Sequence, residues 1–174
     1  MRPDWNGIYP ALTTKLTTND KLDIPLYLKN IEAQINAGIH GCVIAGSLGE
    51  ASTLSQKEKI SLLDATIAHV DGRIPVVMNI AEQSTSKAVK AAHNAQKSGA
   101  DGLMMLPPMR YFADSYETVE FYKSVANSCD LPIMVYNNPY DYKIEITISM
   151  FEELLKVKNI GATKESTRDV TNVT

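Results

Sequence analysis

The sequence predicts a parallel α/β fold of the barrel type, on three observations. Short apolar runs alternate with helical periods along the chain. The runs are continuously apolar rather than alternating, the pattern of strands buried on both faces beneath covering helices. Polar, glycine and proline residues gather just after the runs, as GSLGE (46–50), NIAEQ (79–83), LPPMRY (106–111), YNNP (136–139) and TKEST (163–167). In an α/β barrel that face carries the active site. A doubly wound open sheet is the alternative, but the repeat is regular and no GxGxxG follows the first strand.

Each element has its own signal. Residues 7–14 read as a strand, and 24–37 as a helix with Tyr27, Ile31 and Ile35 four apart on one face and Gly38 at its end. Residues 41–45, GCVIA, form the second strand. Helix 55–70 opens on Ser55 with Glu58 three residues on, a capping box. Strand 74–80 leads to helix 84–98, ended by Gly99. Strand 102–106 leads to helix 115–128, and strand 131–136 to helix 147–156, with Phe151, Leu154 and Leu155 as its buried face. Strand 160–164 is the sixth, and 169–174 begins a further helix.

A chain of 174 residues supports one domain with a real core. A complete eight-stranded barrel needs roughly 250. The expectation is a single (β/α) domain over 1–174 holding about six units of a (β/α)8 TIM barrel and C-terminally incomplete. The net charge is −3 and basic residues form no stripe, which argues against nucleic acid. No apolar stretch reaches the roughly 18 residues of a membrane span, and residues 1–10 lack a secretory pattern. Cys42 and Cys129 are far apart and suggest no disulfide framework, so a cytoplasmic location is expected. His40, His69 and His93 show no metal-ligand spacing, and no metal site is expected. Met104, Met105, Met109 and Met134 read as packing.

The residues that could carry chemistry sit at the strand ends. Lys164 closes the run IGATK, where burial in a barrel mouth would favour a free amine able to attack a carbonyl. By position alone a strand-end lysine is more often solvated. Tyr136 closes the neighbouring run, and parallel strands about 4.8 Å apart bring side chains at one level together. A phenol beside an amine could move protons during carbinolamine formation and dehydration; alone it reads as an amphipathic strand-end tyrosine. In the loop Gly46-Ser47-Leu48-Gly49-Glu50, two glycines allow a sharp turn and close approach to a ligand. Its N–H groups and the Ser47 hydroxyl could hold a carboxylate, with Glu50 anchoring the loop. Arg110 is a candidate clamp for a second polar group of the substrate.

Three motifs occur in register: GSLGE (46–50), YNNP (136–139) and GATKE (161–165). On these the chain resembles the dihydrodipicolinate synthase and N-acetylneuraminate lyase family, along its whole length. The resemblance implies a (β/α)8 barrel, usually tetrameric, that needs no metal or organic cofactor. It implies that Lys164 forms a Schiff base with a small 2-oxo acid, that Tyr136 relays protons with Ser47 beside it, and that Ser47 and Leu48 bind the carboxylate. Two departures bear on the substrate. Synthases of the family usually read GTTGE at the loop, and they carry an arginine where this chain has Asp141. LPPMRY, YNNP and KIEITISMFEEL look most like the subgroup that dehydrates or deaminates hydroxylated 2-oxo acids and cyclic imines, such as 1-pyrroline-4-hydroxy-2-carboxylate deaminase. A pyruvate-dependent aldolase or synthase, and a non-catalytic barrel binding a small acid, are the alternatives.

Overall fold

The computed structural model describes residues 1–173. They form two compact units, one of Met1–Asn79 with Asn94–Gly102, the other of Ile80–His93 with the residues from Leu103 on. Among the described residues no helix is long and apolar enough to cross a membrane.

In the first unit, helix α1 (Ile24–Asn36) starts where the Asp23 carboxylate accepts from Leu26 N at 3.0 Å. A side chain that pairs an otherwise unbonded N–H makes this a defined start. Tyr27 and Ile31 are its buried positions. The chain leaves through Gly38 at φ 86°, a left-handed turn open to glycine. Strand β1 (Cys42–Ile44), helix α2 (Gln56–Val70) and strand β2 (Val76–Ile80) follow. β1 and β2 pair in parallel, Cys42 with Val76 and Ile44 with Met78. α2 opens on the expected capping box, with Ser55 and Glu58 bonding reciprocally. Leu12, Tyr27, Ile31, Ile44, Leu62 and Leu63 form the core. Tyr27 is tied in by the Thr66 hydroxyl at 3.3 Å, and burial holds its phenol well above the ordinary range. Burial also pushes the Cys42 thiol up to about 12, as suits a packing residue.

The expected first strand, 7–14, is reduced to a single parallel bridge between Ala11 and Val43. Its bonds run from Val43 N to Pro10 O at 2.9 Å and from Leu12 N to Val43 O at 2.8 Å. Pro10 has no N–H to donate, so the ladder cannot extend through it. The segment occupies a strand's place beside β1 without a strand's length.

Helix α3 (Thr85–Lys97) contributes to both units and buries only alanines on its inner face, among them Ala88 and Ala92. The second unit continues with β3 (Gly102–Met105), α4 (Ser115–Ala126), β4 (Ile133–Asn137), α5 (Pro139–Tyr142), α6 (Ile148–Leu154) and β5 (Ile160–Glu165). β3 pairs in parallel with β4, and β4 with β5. The β4–β5 ladder opens with Ile133 opposite Ile160 and continues with Met134 opposite Ala162, so Gly161 is an unpaired bulge residue. Leu103, Met104, Met105, Phe121, Tyr122 and Val135 pack inside. The buried Tyr122 hydroxyl donates to Met105 O at 3.1 Å. Asn159 donates to the carbonyls of Ala126, Cys129 and Leu131, which closes the end of α4 onto the turn before β4.

Three expectations change here. α5 is a short helix between the strand ending at 136 and the helix expected from 147, where no element is expected; Asn138 caps it by accepting from Asp141 N at 3.3 Å, and Pro139 supplies the first turn. α6 ends at Leu154, so its buried positions are Met150 and Leu154, while Leu155 lies past the end and is 71% exposed. The helix expected over 169–174 is a 3-10 turn at Val170–Val173, and Thr174 lies outside the described residues.

Two measurements test this account. Ser55→Ala removes the cap of α2 and is expected to lower unfolding stability by about 1 kcal/mol in a urea titration. The second concerns Glu32 on α1, whose carboxylate accepts from both Arg73 terminal nitrogens, at 2.9 and 2.8 Å, and meets His69 Nε2 at 2.8 Å. The Arg73 bonds hold its titration below the usual carboxylate range. A carboxylate depressed in the folded state stabilises above its unfolded pKa, and the contribution is lost as pH falls through the folded one. Arg73→Ala should therefore raise the Glu32 midpoint in a carboxyl-carbon NMR titration and reduce that acid-side dependence, His69 remaining as a partner.

Candidate active site

The site is built on the upper ends of β4 and β5. Their parallel register sets Tyr136 opposite Lys164 and Asn137 opposite Glu165. The Lys164 amine lies over the Tyr136 ring, 4.0 Å from its centroid. The contact is with the ring face, an arrangement that attracts a cation through the ring quadrupole. Tyr136 is 9% exposed and packs edge-on against Tyr142 at 5.6 Å. Its hydroxyl accepts from Asn138 Nδ2 at 3.2 Å, which leaves the phenolic proton able to donate elsewhere.

Three amide and carboxylate side chains fix this corner. Asn137, 2% exposed, donates to Ile146 O at 3.3 Å and to Glu165 Oε2 at 2.9 Å, and its Oδ1 accepts from Ile146 N at 2.9 Å. Glu165 Oε1 accepts from Thr167 N at 2.8 Å, which turns the chain after β5. Asn138, 4% exposed, bridges the Tyr136 hydroxyl to Asp141 Oδ2, at 2.7 Å from the latter. A buried amide with each end bonded is a rigid spacer.

Beside this corner is a cavity of about 600 Å³ lined by Tyr136, Asn138, Asp141, Glu165 and the segment to Val170. Lys164 is not among its lining residues; Tyr136, whose ring its amine covers, is. At the far side Arg168 stacks on Tyr140, 3.5 Å above the ring centroid. Asp169 is held below the usual carboxylate range by its bond from the Thr171 side chain. Arg110 stands exposed in the turn after β3, outside this cavity.

The glycine loop belongs to the first unit. β1 ends at Ile44, Ala45 turns at φ 50°, and Ser47–Gly49 forms a 3-10 turn closed by Glu50 at φ 62°. A left-handed alanine costs about 1–2 kcal/mol. The Gly46 carbonyl accepts from Gly49 N at 2.9 Å and Ala51 N at 3.2 Å. Thr14 donates to Gly49 O at 2.7 Å. A Cβ on Gly49 would sit 2.7 Å from Leu12 O, so only glycine fits there. Glu50 anchors the loop, its carbonyl and carboxylate both accepting from Thr53, at 3.0 and 3.3 Å. Ser47 and Leu48 are exposed on the outer side of the turn.

The histidines make local contacts: His40 Nδ1 accepts from Ile8 N, His69 meets Glu32, and His93 meets Ser128 O. Among the described residues no three His, Cys, Asp or Glu side chains cluster to hold a metal ion. Sequence reasoning missed Asn137 and Asn138 as network residues. The Asn-Asn pair ahead of a proline was the available signal, since Asn before Pro caps a turn.

A family model for the dihydrodipicolinate synthetase family matches residues 4–174. The chain is 33% identical over 168 residues to an uncharacterized DapA-like lyase of Rhizobium meliloti, covering 97% of this chain and 56% of that protein. It is 33% identical over 166 residues to a 4-hydroxy-tetrahydrodipicolinate synthase of Exiguobacterium sibiricum, covering 95% and 57%. YagE from E. coli K12, a prophage protein of the dihydrodipicolinic acid synthase family solved with pyruvate, superposes at a TM-score of 0.93 with 28% identity over 97% of this chain and 57% of that one. Dihydrodipicolinate synthase DapA-2 from Bacillus anthracis gives 0.95 with 27% identity, covering 99% and 59%. The chain thus spans rather more than half the length of these relatives. Likeness at this level assigns the (β/α) barrel fold class that the strand pattern predicts. By its family model and its fold, the chain belongs to the dihydrodipicolinate synthetase family.

Proposed function

We propose that this protein is a Schiff-base lyase acting on a small hydroxylated 2-oxo acid or cyclic imine, by dehydration or deamination. The observation that carries the reading is the Lys164–Tyr136 pair, an amine over a phenol at one level of two adjacent parallel strands. A relative of the same fold with pyruvate bound supports the substrate class. Asp141, where the synthases carry an arginine, supports a substrate whose far end is a hydroxyl rather than a carboxylate, since a carboxylate accepts from donors and repels anions.

The chemistry follows from the groups. The Lys164 amine adds to the C2 carbonyl and forms a carbinolamine. Tyr136 donates a proton to the departing hydroxyl, water leaves, and a protonated imine remains. The imine draws electrons from C2, so a proton at C3 can be removed to give an enamine. The enamine expels a C4 hydroxyl as water, and hydrolysis frees the amine. Ser47 joins the proton relay, Ser47 and the Leu48 N–H hold the C1 carboxylate, and Arg110 receives a further polar group. Gly46, Gly49 and Glu50 shape that loop. No metal or organic cofactor enters these steps, and the assembly is a homotetramer in the cytoplasm.

Borohydride reduction in the presence of pyruvate and hydroxylated 2-oxo acids, read by peptide mass spectrometry, tests the reading. A reduced adduct is expected on Lys164 and absent in Lys164→Ala. Tyr136→Phe keeps the ring beneath the amine and should slow trapping on the order of a hundredfold. Absence of any adduct on Lys164 in folded protein sinks the proposal. Release of pyruvate with an aldehyde, in place of loss of water or ammonia, would reassign the enzyme as an aldolase.

A further inference from the structure

The glycine loop departs from β1 through a strained residue, and one buried side chain stands directly at that departure. The β1–β2 ladder ends with Ile44 opposite Met78. The next residue of β1's chain, Ala45, is 2% exposed and left-handed at φ 50°. The next residue of β2, Asn79, is 3% exposed, and its Nδ2 donates to the Ala45 carbonyl at 2.9 Å. The side-chain amide therefore takes over as the backbone ladder stops. A carbonyl needs a donor, so the amide is oriented with its nitrogen toward Ala45, while its Oδ1 is buried without a partner. A polar residue so buried, bonded at one end only, is expensive to keep for packing alone. Strain held by its surroundings is characteristic of functional backbone.

We infer that Asn79 is a positioning residue: it locks Ala45 in the left-handed turn and so sets how Ser47 and Leu48 are presented to the substrate carboxylate. The inference rests on the Schiff-base reading for its substrate and on the Ala45 geometry for its mechanism. Thr14 holds the same loop from its other end, at Gly49 O. The two pins differ in what they fix: Thr14 fixes where the turn ends and Asn79 fixes the direction in which it starts.

The test measures two things in Asn79→Ala. The pyruvate concentration for half-maximal borohydride trapping should rise about tenfold, the scale of one lost hydrogen bond, while the fraction trapped at saturation stays that of the wild type. The backbone amide resonances of Ser47–Gly49 should shift without any ligand present. Adding Ala45→Gly to Asn79→Ala should recover much of the lost affinity, because glycine adopts the turn without strain; Ala45→Gly also recovers stability, so the urea midpoint of each variant is measured alongside, and a half-saturation that simply follows that midpoint overturns the positioning role. Asn79→Leu keeps the branched shape without a donor and replaces Asn79→Ala if that variant fails to fold. Unshifted loop amides, or half-saturation equal to wild type, overturn the inference. If the wild-type protein traps no 2-oxo acid, the Schiff-base reading fails, and the ligand-free amide resonances still decide the role of Asn79.

Discussion

The candidate chemistry depends on one backbone constraint, the parallel pairing of β4 with β5. Neither Lys164 nor Tyr136 is held in place by a direct bond between their polar ends. The ladder brings their Cα atoms to one level, and the ring face receives the amine. Around that level Asn137 and Asn138 bind the strand ends to the following turns. Each amide satisfies backbone or side-chain groups that burial would otherwise leave unpaired. These bonds hold the polar corner in one arrangement, which is what a positioned proton donor requires.

Much of this was legible in the sequence because the physics is local. Continuous apolar runs such as GCVIA and GLMML mark strands buried on both faces, and β1 and β3 lie within them. Ser55 and Glu58 mark a helix start by a bond pattern three residues long. The misses arise where a distant partner decides. Residues 7–14 have strand-like composition, but their bonds to β1 are confined to Pro10 O and Leu12 N, both with Val43, and Pro10 has no N–H to carry the ladder further. Leu155 is apolar and in phase with a helix, yet the helix stops one residue before it. Asn79 reads as one more residue of the strand 74–80 and Asn137 as a strand-end polar residue, because the groups they bond lie 34 and 9 positions away along the chain.

The two units handle polar strand ends differently. In the second, the consecutive residues Asn137, at the end of β4, and Asn138, just beyond it, form the network. In the first, a single amide faces a left-handed alanine and the loop beyond it bonds largely to itself. A self-bonded turn keeps its N–H groups in fixed directions, the property that lets backbone donors meet an anion without rearrangement.

The bulge at Gly161 gives β5 a hidden reserve of length. Ile133 faces Ile160, and an uninterrupted ladder from that pair would have put Thr163 opposite Tyr136 and Lys164 opposite Asn137. The unpaired glycine advances the frame by one, and the lysine arrives on the tyrosine instead. Loss of one residue between Ile160 and Lys164 can be absorbed by straightening the strand, with the amine still over the ring. Loss of two cannot, since the slack is a single residue and side chains alternate faces. The amine's address is thus protected against the shortest deletion and against no longer one.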